Sequence, residues 1–139
     1  MNIREYGLQD LDAVLALWTE CGLVVPHNNP ERDIERKLKV DPDLFLVGIA
    51  DGELVGTVMG GYEGHRGWIN YLAVRPSKQE QGYGRLIMNA VEERIERKGC
   101  PKINLQIRST NKAVLAFYES LGYRIDDVVG MGKRLEPDD

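Results

Sequence analysis

The sequence is poor in the residues that hold metals: two cysteines and two histidines in 139 positions. Cys21 and Cys100 show no ligand spacing, and His27 and His65 lie far apart in sequence, so no metal site is expected. The two thiols read as small, partly buried apolar side chains of a reducing compartment. Cations are outnumbered, with 18 Lys and Arg against 22 Asp and Glu, a formal charge of -4 and a pI near 5.3. The clustered Lys and Arg that neutralise phosphates are missing, which argues against a nucleic-acid partner. A mildly acidic surface suits basic partners such as amines. Apolar runs stay well short of the roughly 20 residues that span a bilayer. The opening MNIREYGLQD has neither the basic nor the apolar region of a signal peptide. The expectation is a soluble, cytoplasmic protein without a membrane partner. No linker, repeat or low-complexity stretch divides the chain, and its 42% hydrophobic content suffices for one core. Residues 1–139 therefore read as a single domain.

What is present reads as an α/β fold. Asp10 is placed as N-cap of a first helix whose face carries Leu11, Val14, Leu15 and Trp18. Pro30 starts a second, charged helix through Ile34 and Leu38, after the loop GLVVPHNNP. LFLVGIA and LVGTVMGGY flank Asp51 and Gly52, a pair suited to a type I′ hairpin turn. WINYLAV extends an antiparallel meander past the turn from Glu63 to Gly67. A long helix follows, with Leu86, Ile87, Ala90, Val91 and Ile95 on its apolar face, stopped by Gly99 and Pro101. INLQI alternates with period two, so Ile103, Leu105 and Ile107 share one face. Strand, crossover helix and strand make a right-handed βαβ unit at the centre of a mixed, mostly antiparallel sheet. The last helix has Val114, Phe117, Tyr118 and Leu121 as its stripe and Gly122 as its cap. YRIDDVV and MGKRLEP are read as closing strands.

The entry to the long helix, QEQGYGRL, is the most informative stretch. A first helical turn offers unpaired N–H groups and the positive end of the macrodipole, and Gly82 and Gly84 clear side chains from an anion's path. A Walker loop would require Gly-Lys-Ser or Gly-Lys-Thr where this chain has Gly-Arg-Leu. A dinucleotide fingerprint would need a third glycine at Ile87 and an acid at Asn104. Both fail, which leaves an anion cradle or a plain tight strand-to-helix connection.

LAVRPSKQEQGYGRLIMNAVEERIERKG resembles the cofactor-binding segment of the GNAT superfamily of acyl-CoA-dependent N-acetyltransferases. Gln79, Gly82 and Gly84 fill that family's signature. NKAVLAFYESLGY is similar to its later motif, with Asn111, Phe117, Tyr118, Gly122 and Tyr123 in matching places. Among members, the look is nearest to the ribosomal-protein N-terminal (alanine) acetyltransferases. The resemblance implies acetyl-CoA as co-substrate, a primary amine as acceptor (a protein N-terminus or a small molecule) and direct transfer in a ternary complex. It also implies strands that splay to admit pantetheine. Backbone N–H groups across Gln81, Gly82, Tyr83, Gly84 and Arg85 would hold the pyrophosphate, and Leu72, Ala73 and Val74 would pair with pantetheine. Asn111 would bond the arm or phosphates, or simply cap the last helix. Tyr118 would donate a proton to the departing thiolate, or serve only as a core aromatic. Relatives often dimerise, which leaves a homodimer open.

Two departures stand out. Many relatives carry a basic residue where this chain has Glu80, which is expected to point into solvent, with Arg85, Arg75 or Lys78 as compensating charges. The nearest relatives place a glutamate base where this chain has Gln106, and an amide takes no proton. Glu63 is the candidate base, with His65 or Tyr71 through a water as others. A catalytically weak acyl-CoA-binding sensor or regulator is the alternative function. Glu31, Asp33 and Glu35, near the acceptor wall of the family, read as a solvated face.

Overall fold

The computed structural model describes residues 1–137. Its sheet has the order β1-β2-β3-β4-β5, with β1 Asn2–Glu5, β2 Phe45–Ala50, β3 Glu53–Tyr62, β4 Gly67–Val74 and β5 Ile103–Asn104. β2 to β4 form the expected antiparallel meander, β1 adds antiparallel to the other edge of β2, and β4 pairs with β5 in parallel. The β2–β3 turn is the one the sequence predicts: Asp51 and Gly52 both have positive φ, 52° and 76°. Such values relieve the twist mismatch of a two-residue hairpin.

Helices cover both faces. On one side, α1 (Leu11–Glu20) and α2 (Pro30–Lys37) bury Val14, Leu17, Trp18 and Ile34 against Phe45, Val47, Met59 and Ala73. On the other, α3 (Tyr83–Arg97) and α4 (Lys112–Ser120) bury Ile87, Met88, Val91, Ile95 and Tyr118 against Leu44, Leu46, Val58 and Ile69. This confirms a single-domain α/β architecture with a mixed sheet and a parallel βαβ unit, which lies at the β5 edge of the sheet and not at the centre expected for it.

Four further details differ from the sequence reading. Leu86 is 48% exposed, and Met88 takes its place in the core. At 100° per residue, Met88 falls beside Ile87, Val91 and Ile95, and Leu86 lies off that stripe. Asp10 occupies the N-cap position of α1 but makes no side-chain cap. Its carboxylate instead accepts two bonds from Arg4, at 2.7 and 2.9 Å, and one from the Gly7 N–H at 2.8 Å. β5 is hydrogen-bonded for two residues only, although Ile103, Leu105 and Ile107 still share the α3/α4 core as alternation requires. Residues 123–137 form neither closing strand, and Ile125, Val128, Val129, Met131 and Leu135 are 73–95% exposed. Asp126, Asp127, Gly130 and Gly132 are poor strand formers. The segment is tied back through an ion pair between Lys102 and Asp126 at 2.9 Å.

Candidate functional site

β4 and β5 are paired only where Gly67 and Trp68 meet Ile103 and Asn104. Beyond that point the β5-facing edge of β4, including Leu72, Ala73 and Val74, has no strand beside it among the described residues. The opening lies at the β4 C-terminus, where the chain turns through Pro76–Lys78 into α3. The Gln79 amide closes this turn by donating to the Val74 carbonyl at 3.0 Å. Gln79 thus has a structural task that its place in the motif did not disclose.

At the turn, Glu80 and Gly82 both take left-handed conformations, with φ of 65° and 83°. Gly82 is the N-cap residue of α3 and supplies no side-chain cap. The N–H groups of Tyr83, Gly84 and Arg85, in the first helical turn, therefore have no intrahelical acceptor. Gly82 is exposed, and a Cβ built there meets nothing within 4 Å. Open space, free donors and a 15-residue helix behind them fit an anion such as a diphosphate. Gly84 answers a different demand from the one read in the sequence. A Cβ there would stand 3.1 Å from Cζ of Phe117, so its bareness lets α4 pack on α3.

The charges nearby are mostly committed elsewhere. Arg75 pairs with Glu53 at 2.8 Å and Glu20 at 3.6 Å, and Arg85 reaches Ser120 on α4 at 3.4 Å. Of the three compensating cations, only Arg75 is thereby paired with carboxylates, and Arg85 keeps its charge. Lys78 remains beside the turn, and Glu80 is exposed as expected.

Asn111 is the N-cap of α4, its Oδ1 accepting from the Val114 N–H at 3.2 Å, and its Nδ2 hydrogens are left to donate outward. Tyr118 is 7% exposed and packs edge-on against Phe117 and Tyr123, with centroids 5.2 and 5.6 Å apart. Burial pushes its phenol up to about 12. Gln106 is exposed, with no carboxylate in its place.

Glu63 lies at the end of β4 opposite the α3 turn. It sits in the β3–β4 turn, beside the Tyr62–Gly67 pair, whereas the α3 turn follows Val74, seven residues along β4. At about 3.3 Å per residue that separation exceeds 20 Å. Its Oε1 accepts the N–H groups of His65, at 2.6 Å, and of Arg66, which hold the carboxyl below the ordinary glutamate range. The exposed carboxylate closes the β3–β4 turn, at the end of β4 opposite the α3 turn.

Sequence reasoning missed the polar cluster on the α1/α2 face. Tyr71 Oη donates to Asp33 Oδ2 at 2.5 Å and accepts from Asn28 Nδ2 at 2.7 Å. Trp18 Nε1 donates to Thr57 Oγ1, which donates to the Tyr71 carbonyl, both at 2.9 Å. Asp33 thus leaves the solvated face predicted for it, while Glu31 and Glu35 stay exposed. The sequence offers Tyr71 and Asp33 separately, as a candidate base and as part of an acidic stretch, with nothing to join residues 38 positions apart. Their meeting depends on a bulge that strand alternation does not announce.

Residues 11–123 match the profile of the Acetyltransferase (GNAT) family. A curated acetyltransferase of Pectobacterium atrosepticum is 48% identical over 138 residues, 99% of this chain and 98% of that protein. Among solved structures, the ribosomal-protein-S18-alanine N-acetyltransferase from Escherichia coli superposes with a TM-score of 0.72 at 21% identity, over 87% of this chain and 76% of that one. AAC(6')-Iy in complex with the bisubstrate analogue CoA-S-monomethyl-acetylneamine superposes with a TM-score of 0.77 at 20% identity, over 96% and 97%.

Proposed function

The chain belongs to the GNAT acetyltransferase family, and from that premise we propose that it transfers an acetyl group from acetyl-CoA to a primary amine. The observation that carries this reading is the exposed, left-handed Gly82 at the uncapped start of α3, next to a β4 edge that β5 leaves open. The first-turn N–H groups from Tyr83 to Arg85, with the loop at Gln81 and Gly82, would hold the diphosphate. Leu72, Ala73 and Val74 would pair with the pantetheine amides as an added strand would. The free Nδ2 of Asn111 can donate to the same arm.

The chemistry asked of the protein is modest. The amine nitrogen bonds to the thioester carbon, the C–S bond breaks, the thiol leaves and the nitrogen loses a proton. A backbone N–H at the β4 edge would stabilise charge on the carbonyl oxygen. Tyr118 is the candidate donor to the sulfur. With its phenol near 12 and a thiol near 8.5, full proton transfer is uphill by about 5 kcal/mol, so it would act as a hydrogen-bond donor to developing charge.

Deprotonation selects the acceptor. At pH 7 neutralising a lysine side chain costs about 4.6 kcal/mol, and an α-amino group about 1 kcal/mol. Glu63 is spent on its turn and Gln106 accepts no proton, so the site favours amines of low pKa. An N-terminal α-amino group is the acceptor class proposed. Calorimetry with coenzyme A, followed by acceptor-dependent thiol release across N-terminal peptides and small amines, tests the reading. No coenzyme binding overturns it, and tight binding without turnover on any amine makes the protein a sensor instead.

A further inference from the structure

Tyr71 has φ of 51°, a left-handed conformation that a bulky L side chain keeps only where its surroundings impose it. It sits where β4 carries one residue more than β3: Thr57 pairs with Ala73, but Met59 pairs with Asn70. Side-chain alternation breaks there. Ile69 packs in the α3/α4 core, whereas Tyr71 and Ala73 pack in the α1/α2 core and Leu72 and Val74 turn to α3/α4. A regular strand would keep residues 69, 71 and 73 on one face.

Among the described residues, the side chains that hold this conformation come from α1, the α1–α2 loop, α2 and β3. Trp18 stacks on the Tyr71 ring with centroids 3.9 Å apart and reaches the Tyr71 carbonyl through Thr57, itself fully buried. Asn28, in the α1–α2 loop, and Asp33, on α2, hold the phenol from both sides. Asn28 is itself fixed by the Val25 N–H on its Oδ1, at 3.0 Å. Packing alone would be served equally by phenylalanine. The phenol is where α2 is fastened to the strand.

We propose that Tyr71 is a positioning residue: Asp33 and Asn28, acting through its phenol, fix the β4 bulge and thereby aim the backbone of Leu72–Val74 at the substrate thioester. This rests on the acetyltransferase reading for its consequence, though not for the tether itself. A regular β4 would turn Leu72 to the other face and realign the edge that β5 leaves open. Helix α2 and the thioester-facing backbone therefore move as one unit, and a ligand that displaces α2 displaces the bulge.

Tyr71→Phe keeps the stack on Trp18 and removes the phenol bonds to Asp33 and Asn28, and Asp33→Asn keeps an acceptor oxygen but removes its charge. In the free protein, amide hydrogen exchange across Asn70–Ala73 is expected to speed up about tenfold or more in Tyr71→Phe and less in Asp33→Asn, with the rest of β3 and β4 unchanged. With carbonyl-13C acetyl-CoA bound, the infrared thioester band of the wild type is expected below its position in water, and in Tyr71→Phe back toward it. Affinity for coenzyme A should stay within about threefold. Unchanged exchange in both variants overturns the tether. Faster exchange with an unmoved band, or a loss of coenzyme affinity beyond about tenfold, overturns the positioning role. A wild type that binds no coenzyme A overturns the acetyltransferase reading and the aim at the thioester with it, and the exchange measurement then decides the tether alone. Should Tyr71→Phe fail to fold, Asp33→Asn and Asn28→Ser carry the same two readouts.

Discussion

A methyl group on Gly84 would stand 3.1 Å from Cζ of Phe117, whereas one on Gly82 would meet nothing within 4 Å. Two glycines separated by one residue therefore have separable tasks, and substitution distinguishes them. Gly82→Ala adds a side chain at φ of 83°, a cost of about 1–2 kcal/mol, and puts a methyl at the mouth of the helix start. Coenzyme A affinity should fall about tenfold or more, beyond what the stability loss accounts for. Gly84→Ala should cost about 1–3 kcal/mol through crowding between α3 and α4, with a smaller change in affinity. Thermal melts and calorimetry on the two variants, read side by side, check this.

Glu80 offers the converse test. It holds φ of 65° and carries a negative charge at the turn proposed to bind a diphosphate. Glu80→Asn tolerates the left-handed conformation and removes the charge. Coenzyme A should bind a few-fold more tightly at low salt, with the gain shrinking as ionic strength rises. Titrations at two salt concentrations decide it, and equal affinities at low salt would place the carboxylate well away from the phosphates.

Tyr118→Phe keeps the edge-on contacts with Phe117 and Tyr123 and removes the hydroxyl. If that hydroxyl stabilises the departing sulfur, kcat should drop about 10- to 100-fold with coenzyme affinity nearly constant. Because burial pushes the phenol up to about 12, no alkaline limb from this group should appear in the wild-type rate profile below about pH 11. An equal kcat in both proteins would leave Tyr118 as a core aromatic only.

Features set by near neighbours in the chain were legible from the sequence. The Asp51–Gly52 turn and the Gly99 and Gly122 helix stops each follow from a conformation that few residues adopt, and all appear with positive φ. The α1/α2 and α3/α4 faces followed from periodicity, since burial on a helix repeats every 3.6 residues. What failed depended on side-chain and edge partners that periodicity does not reveal. Asp10 prefers Arg4 and Gly7 to the helix that follows it, and Asp33 prefers a tyrosine on β4 to water. The expected closing strands failed for the same reason, because strand pairing depends on an edge partner and β5 offers a hydrogen-bonded edge of two residues. Glu63 was read in the loop before β4, and the sheet register puts it at the end of β4 opposite the α3 turn.

The Arg4–Asp10 pair makes a stability prediction. The bond from Arg4, the Gly7 N–H and the guanidinium charge hold the Asp10 carboxyl below its ordinary value against the opposing effect of burial. A carboxyl lowered in the folded state stabilises the fold fully above its unfolded value, about 3.9, and loses that contribution as pH falls through the lower folded value. Asp10→Asn should therefore destabilise by about 1–3 kcal/mol at neutral pH, with wild type and variant converging in strong acid. Urea melts at pH 7 and at about pH 3 or below measure the difference, and a gap that persists undiminished in strong acid would assign the effect to packing.

The rate of acetyl transfer should follow the acceptor's own ionisation. A general base on the protein would impose its own pKa on kcat/KM whatever amine is offered. Here the carboxylate of Glu63 is committed to the His65 and Arg66 N–H groups, and Gln106 has no proton affinity to contribute. The fraction of free amine is then set by the acceptor alone, so kcat/KM should rise with pH and level off near pH 8 for an α-amino acceptor, about 7.7 in the free peptide. For a lysine-type acceptor, the rise should continue toward about pH 10, with a rate at pH 7 lower by the several hundred-fold that about 3.6 kcal/mol of extra deprotonation cost implies. Glu63→Gln should leave both profiles in place. A common inflection for acceptors of different pKa, or a profile that shifts in Glu63→Gln, would reveal a base on the protein. The first outcome would direct the search to the polar groups around Tyr71, and the second would show that the β3–β4 turn reaches the site.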